Sequence, residues 1–161
     1  MSRRRSHRSD DGLAGLDAIY GALNDLFAGS SCPRSTRCCR FRQTGRTPYV
    51  SPIEMRRVLI AIDRRGGRLP RGPREPGDCP LLQGGSCTIH PDRPFGCRTF
   101  FCEDATLPHG QRRGDVEVLA RELRALSERL GETELVPLTT HLDRIFDREG
   151  RRVRGTGIAR R

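Results

Sequence analysis

The sequence predicts a mainly α protein: a small helical domain whose helices are separated by long irregular loops that carry its cysteines. Three observations predict it. Apolar residues recur at helical spacing in four separate stretches. The segments between them are rich in proline, glycine and arginine and lack helical or strand periodicity. All seven cysteines fall in those connecting segments.

Residues 1–10, MSRRRSHRSD, are polar and arginine-rich and read as a disordered arm. The first helix is expected over 11–28, where Leu13, Leu16, Ile19, Tyr20, Leu23, Leu26 and Phe27 form one face. Asp10 or Asp11 caps its start and Gly29 ends it. A loop over 30–50 carries Cys32, Cys38 and Cys39. The second helix begins at Ser51, because Ser51-Pro52-Ile53-Glu54 is a capping box with proline at the first helical position. Met55, Val58, Leu59 and Ile62 form its apolar face, and Gly66-Gly67 ends it. Residues 63–78 form an irregular connection and residues 79–104 a second cysteine-bearing loop. A third helix is expected over about 114–130, on Val116, Leu119, Leu123, Leu126 and Leu130. Its pattern is too short for a coiled coil, so it should pack on the first helix. A last helix covers 139–149 with Leu142, Ile145 and Phe146 facing inward, and the basic tail 150–161 reads as disordered. The organisation is thus one domain, 11–149, between two basic ends.

Apolar residues make up 34% of the chain and aromatics 5%, with no tryptophan, so the core is thin. Thin cores are commonly supplemented by disulfides or metals. No apolar segment follows the basic N-terminus, and no run is long enough to span a membrane, so the expected location is cytoplasmic. There, clustered cysteines read as metal ligands or redox groups, with a disulfide framework as the lesser alternative. The net charge is +10, and the chain has no lysine. That excludes a lysine Schiff base and a P-loop lysine. The arginine excess is spread along the chain with only six Phe and two Tyr to stack bases, which points to nonspecific nucleic-acid contact at most.

Residues 79–102 read C-P-L-L-Q-G-G-S-C-T-I-H-P-D-R-P-F-G-C-R-T-F-F-C and hold Cys79, Cys87, Cys97 and Cys102. Seven, nine and four residues separate them in turn. These are neither the paired knuckles of a zinc finger nor common ferredoxin spacings. Gly84-Gly85 permits a tight turn, and Pro80, Pro91 and Pro94 stiffen a segment suited to wrapping something. Thiolates suit zinc, iron–sulfur clusters or Cu(I). The domain should therefore bring both cysteine groups to one metal site, with Cys32, Cys79, Cys87 and Cys97 as the first ligands and Cys38, Cys39 and Cys102 next. Side chains of adjacent cysteines diverge, so Cys38 and Cys39 suit a polynuclear cluster, or one ligand beside one buried thiol. Arg93 and Arg98 either offset the charge of the thiolates and donate to sulfur, or are ordinary surface arginines.

The run C-P-L-L-x-x-G-x-C-x-I-H-x-x-R-P-x-x-C-R-x-F, Cys79 to Phe100, resembles the signature of the YkgJ-type cysteine-cluster family, the zinc- or iron-chelating CxxCxxCC domains. The resemblance covers about residues 32–104 and includes the upstream cysteines and the helix start at Ser51–Glu54. It implies a site holding zinc or an iron–sulfur cluster. Two positions depart from the pattern. Ser35 stands where the second cysteine of the upstream C-x-x-C-x-x-C-C is expected, and Cys102 is a candidate replacement. His90 stands where tyrosine is usual, as an aromatic substitute or as a further ligand.

The leading expectation is a small cytoplasmic metal-binding protein, its iron–sulfur cluster or zinc either structural or redox-active. Seven cysteines exceed one tetrahedral zinc site, which tilts the choice toward a cluster. One alternative is an accessory subunit or relative of a protein-lysine methylase carrying the same cysteine motif. The chain has no nucleotide fingerprint and no legible catalytic constellation, so no catalytic residue is named. Another alternative is a basic nucleic-acid-binding protein with a structural zinc. The partner is open, a redox or enzyme protein being the expected kind, with no membrane involved.

Overall fold

The computed structural model describes residues 2–31, 35–71, 75–100, 113–147 and 149–153. The fold is mainly helical, as the sequence predicts. Helix α1 spans Ser2–Leu26, α3 Pro52–Asp63, α5 Arg113–Leu130 and α6 Leu138–Ile145, with one-turn helices α2 at Phe41–Thr44 and α4 at Phe95–Arg98. Two short antiparallel pairs complete it. Strand β1 (Tyr49–Val50) pairs with β4 (Val136–Pro137), and β2 (Leu82–Gln83) with β3 (Ser86–Cys87).

α1 starts at Ser2, so helical backbone runs through the stretch expected to be a disordered arm. Arginine is a good helix former, and extending an existing helix adds one hydrogen bond for each residue fixed. α6 ends at Ile145, where Phe146 turns extended and bridges Arg152, so the last helix stops short of 149. Residues 154–161 of the expected tail lie outside the described residues.

α3 is the keystone. The Ser51–Glu54 capping box forms as the sequence predicts, with both reciprocal bonds present. One side of α3 gives Met55, Val58, Leu59, Ala61 and Ile62 to a core shared with Leu81, Ile89, Leu138, Leu142 and Phe146. Ile53, at its start, joins a second cluster made by Leu16, Ile19, Tyr20 and Leu23 of α1 with Leu123 and Leu126 of α5. The third long helix therefore packs on the first, as its short pattern implies. A Cβ on Gly15 of α1 would lie 3.1 Å from Leu126 Cδ1, so glycine there lets the two helices approach closely. Ion pairs Arg57–Asp17 and Arg56–Glu132 tie α3 to α1 and to the residues after α5. Among the described residues, no helix is long and apolar enough to cross a membrane.

The region 79–100 is less irregular than its sequence suggests. Gly84 (φ 56°) and Gly85 (φ 75°) join β2 to β3, and two successive left-handed residues make the tight hairpin turn that glycine pairs favour. A 3-10 turn follows at His90–Asp92, and then α4.

Candidate metal centre

Cys38, Cys39, Cys79, Cys87 and Cys97 approach one another from four separate segments. Cys38 and Cys39 lie on a 3-10 turn, Arg37–Cys39. Thr36 introduces it with φ 60°, a left-handed conformation that costs a β-branched residue on the order of 1–3 kcal/mol. The Thr36 carbonyl accepts from Cys39 N at 2.8 Å, and its hydroxyl accepts from Arg40 Nε at 3.3 Å, so neighbouring bonds hold the strained residue. The adjacent sulfurs of Cys38 and Cys39 do not diverge as expected: the tight turn sets them 3.9 Å apart.

Cys79 is buried and joined to this turn through its backbone, its N–H donating to the Cys39 carbonyl at 2.7 Å. Cys87 sits on β3 opposite Leu82, partly buried against the same core. Cys97 lies on α4, its N–H donating to the Pro94 carbonyl at 2.9 Å. These five cysteines carry no disulfide.

Cys38, Cys39 and Cys87 titrate together. A hydrogen bond with Cys39 pulls Cys38 down to about 6, burial opposing it and Arg93 assisting. Contacts with Cys38, Cys79 and Cys87 push the proton-holding Cys39 well up. Cys87 is lowered, first by its hydrogen bond with Cys39 and further by the Ile89 backbone and Arg93. Burial pushes Cys97 well up, and Cys79, Cys87 and Cys38 add to the rise. Charge on neighbouring sulfurs is among the causes that oppose ionisation of Cys39, Cys87 and Cys97, which is how thiols packed close together behave when no cation compensates them.

Of the two arginines singled out in the sequence, Arg93 acts on the sulfurs. Its charge lowers Cys38, Cys87 and Cys97 while its Nε donates to the His90 carbonyl at 3.0 Å. Arg98 is buried and turned elsewhere. It donates to the Arg93 carbonyl (2.7 Å), Asn24 Oδ1 (3.1 Å) and the Pro91 carbonyl, and its guanidinium lies 4.1 Å from the centre of the Tyr20 ring. It fastens the turn that carries Cys97 to α1. His90 is exposed at the start of its 3-10 turn, and Ser35 is exposed. Cys32 and Cys102 lie outside the described residues, and with them the idea that one replaces a ligand near the other.

Sequence reading missed Glu54 and Tyr20. Glu54 is 1% exposed and accepts from Ser51 N and Oγ, from Tyr20 Oη (3.1 Å) and from Phe95 N (2.8 Å). The capping-box signature revealed the first of these bonds. Nothing in the sequence signals the last two, which depend on the docking of α1 and α4. Burial, then the Glu54 carboxylate, pushes the Tyr20 phenol far above its usual value.

The donor set fits a thiophilic metal in kind, being thiols with a cationic neighbour. Its spacing is not that of a closed site: among the described residues, no three His, Cys, Asp or Glu side chains stand where one ion could be held. Compared with family models, curated proteins and solved structures, the chain matches none.

Proposed function

We propose that this chain is a small metal-binding protein of the YkgJ cysteine-cluster kind, using its cysteines to hold an iron–sulfur cluster or zinc in a structural or redox role. The observation that carries this reading is that Cys38 and Cys39, their sulfurs 3.9 Å apart, pack with Cys79 and Cys87 on one core, the Cys79 N–H bonded to the Cys39 carbonyl. Thiols brought this close raise one another's charging cost, and a bound cation would offset that cost. Cys38, Cys79, Cys87 and Cys97 would be ligands, with Cys39, Cys32 and Cys102 as further donors. The excess over four thiolates favours a cluster over a single zinc. When bound, a cluster would supply one-electron chemistry, whereas zinc would supply cross-linking alone. Arg93 would moderate the negative charge of the thiolates in either case.

The test is the metal and acid-labile sulfide content of anaerobically purified protein, read with its visible spectrum. Iron with sulfide, and absorption bleached by dithionite, supports a cluster. Zinc without sulfide supports a structural site. Protein free of both metals under aerobic and anaerobic preparation overturns the reading in favour of thiol or disulfide chemistry.

A further inference from the structure

The buried carboxylate of Glu54 does more than cap its own helix. Its Oε2 accepts from Ser51 N at 2.9 Å, which is its half of the capping box, and also from Ser51 Oγ at 3.0 Å. Its Oε1 accepts from Tyr20 Oη of α1 and from Phe95 N, the first residue of α4. A capping glutamate needs only the first of these bonds and ordinarily stays at the surface. Burying a carboxylate is costly unless its oxygens are satisfied, and here both oxygens accept two bonds each. The Phe95 N–H lies two residues before Cys97, in a one-turn helix too short to hold itself in place. The opposite end of that turn is fastened to α1 by Arg98, through Asn24 and the face of the same Tyr20. Glu54 and Tyr20 thus clamp both flanks of Cys97 to the helical frame.

We propose that Glu54 is a positioning residue that sets the Cys97 thiol against Cys38, Cys79 and Cys87. This deepens the reading of the thiols as one metal centre and rests on it for its consequence, though not for its geometry. The Glu54 side chain touches none of the reacting groups; it acts through the backbone of Phe95.

The experiment uses the full chain as purified and compares wild type with Glu54→Gln, Tyr20→Phe and Ser51→Ala. Peptide-resolved hydrogen exchange is read over 95–99 and over the β2–β3 hairpin, which Glu54 does not touch. Glu54→Gln puts an amide donor against N–H donors, so exchange over 95–99 should rise about tenfold or more, the scale of one lost charged hydrogen bond. The hairpin should be unchanged. Tyr20→Phe keeps the ring under Arg98 and should give a smaller rise confined to 95–99. Ser51→Ala, which loses the cap and one bond to Oε2 but leaves both bonds to Oε1, should give a smaller rise there than Glu54→Gln. Equal acceleration of both segments in Glu54→Gln and Tyr20→Phe, or wild-type exchange in both, overturns the proposal.

A second readout is the thiolate-to-metal charge-transfer absorption after loading with Co(II). Per bound cobalt it should be weaker in Glu54→Gln than in wild type, because Cys97 is withdrawn, and an unchanged band overturns the proposal. If wild type takes up no Co(II), the metal-centre reading fails, and hydrogen exchange alone decides the role of Glu54.

Discussion

Cys97 is where the thiol group and the helical frame meet. Burial and the nearby Cys79, Cys87 and Cys38 push its thiol up, while its backbone belongs to a turn held by Glu54 and Arg98. Cys97→Ser replaces a soft thiolate with a hydroxyl that binds zinc or iron weakly. Loss of an outer partner commonly costs about 10–100-fold in metal affinity, so under the proposed metal-centre reading the loss of Cys97 is expected to cost no less. Metal content and melting temperature should fall together, as elemental analysis and thermal unfolding would show; wild-type occupancy in the variant would remove Cys97 from the centre. At this scale the sequence was most informative about residue type. The cysteines could be singled out because thiol chemistry is carried by residue type, and the sequence offered Arg93 and Arg98 alike as neighbours of the sulfurs or as surface residues. The work of Arg98 was not legible, because an arginine beside a cysteine says nothing about whether it faces the sulfur or, as here, Asn24, two carbonyls and a ring on α1.

Among the elements, the long helices were legible because an apolar face repeats with helical period, and the Leu123–Leu126 stripe docks where its length implied. The strands were not. Each is two residues long, too short to show alternation, and each exists only through its partner. α6 carries a titration with a definite sign. His141 on this helix has a buried Nε2 with no hydrogen-bond partner among the described residues. Burial, then Arg144, lowers its pKa, and Glu134 opposes them. The folded value lies below the unfolded one, so the native state holds fewer protons. The stability that follows is complete above the unfolded value of about 6.5 and is lost as pH falls through the folded value. The side chain is half-buried, so the effect is modest. Denaturant unfolding between about pH 7 and pH 5 should therefore weaken less in His141→Gln than in wild type. Parallel profiles would assign the acid sensitivity of this region elsewhere.

Over the whole molecule, the two apolar clusters differ in their relation to the thiols. The cluster around α3 and α6 includes Cys39 and Cys79, and Cys38 and Cys87 pack against it. The α1–α5 cluster contains no cysteine, and among the described residues it is joined to the Cys97 turn through Phe95, the Glu54–Tyr20 pair and the Arg98 contacts with Asn24 and Tyr20. A metal held by the cysteines would therefore stabilise the first cluster directly and the second only through α3 and the Cys97 turn. Metal-coupled folding adds the binding free energy to whatever part the ligands cross-link. Chelation under reducing conditions should accordingly lower the melting temperature and raise hydrogen exchange first over 36–42 and 79–99. The amides around Leu123 and Leu126 should keep their protection until global unfolding. Simultaneous loss of protection in both regions would mean that α3 and the Cys97 turn couple the clusters into one cooperative unit. Unchanged exchange after verified metal removal would mean that the thiols contribute nothing to holding the domain together. The expected order follows from a thin core, 34% apolar by composition, whose cysteine-bearing part is made of one-turn helices and a two-residue hairpin turn. Such elements have little stability of their own, whereas α1 and α5 bury a continuous leucine-rich seam that depends on no cysteine.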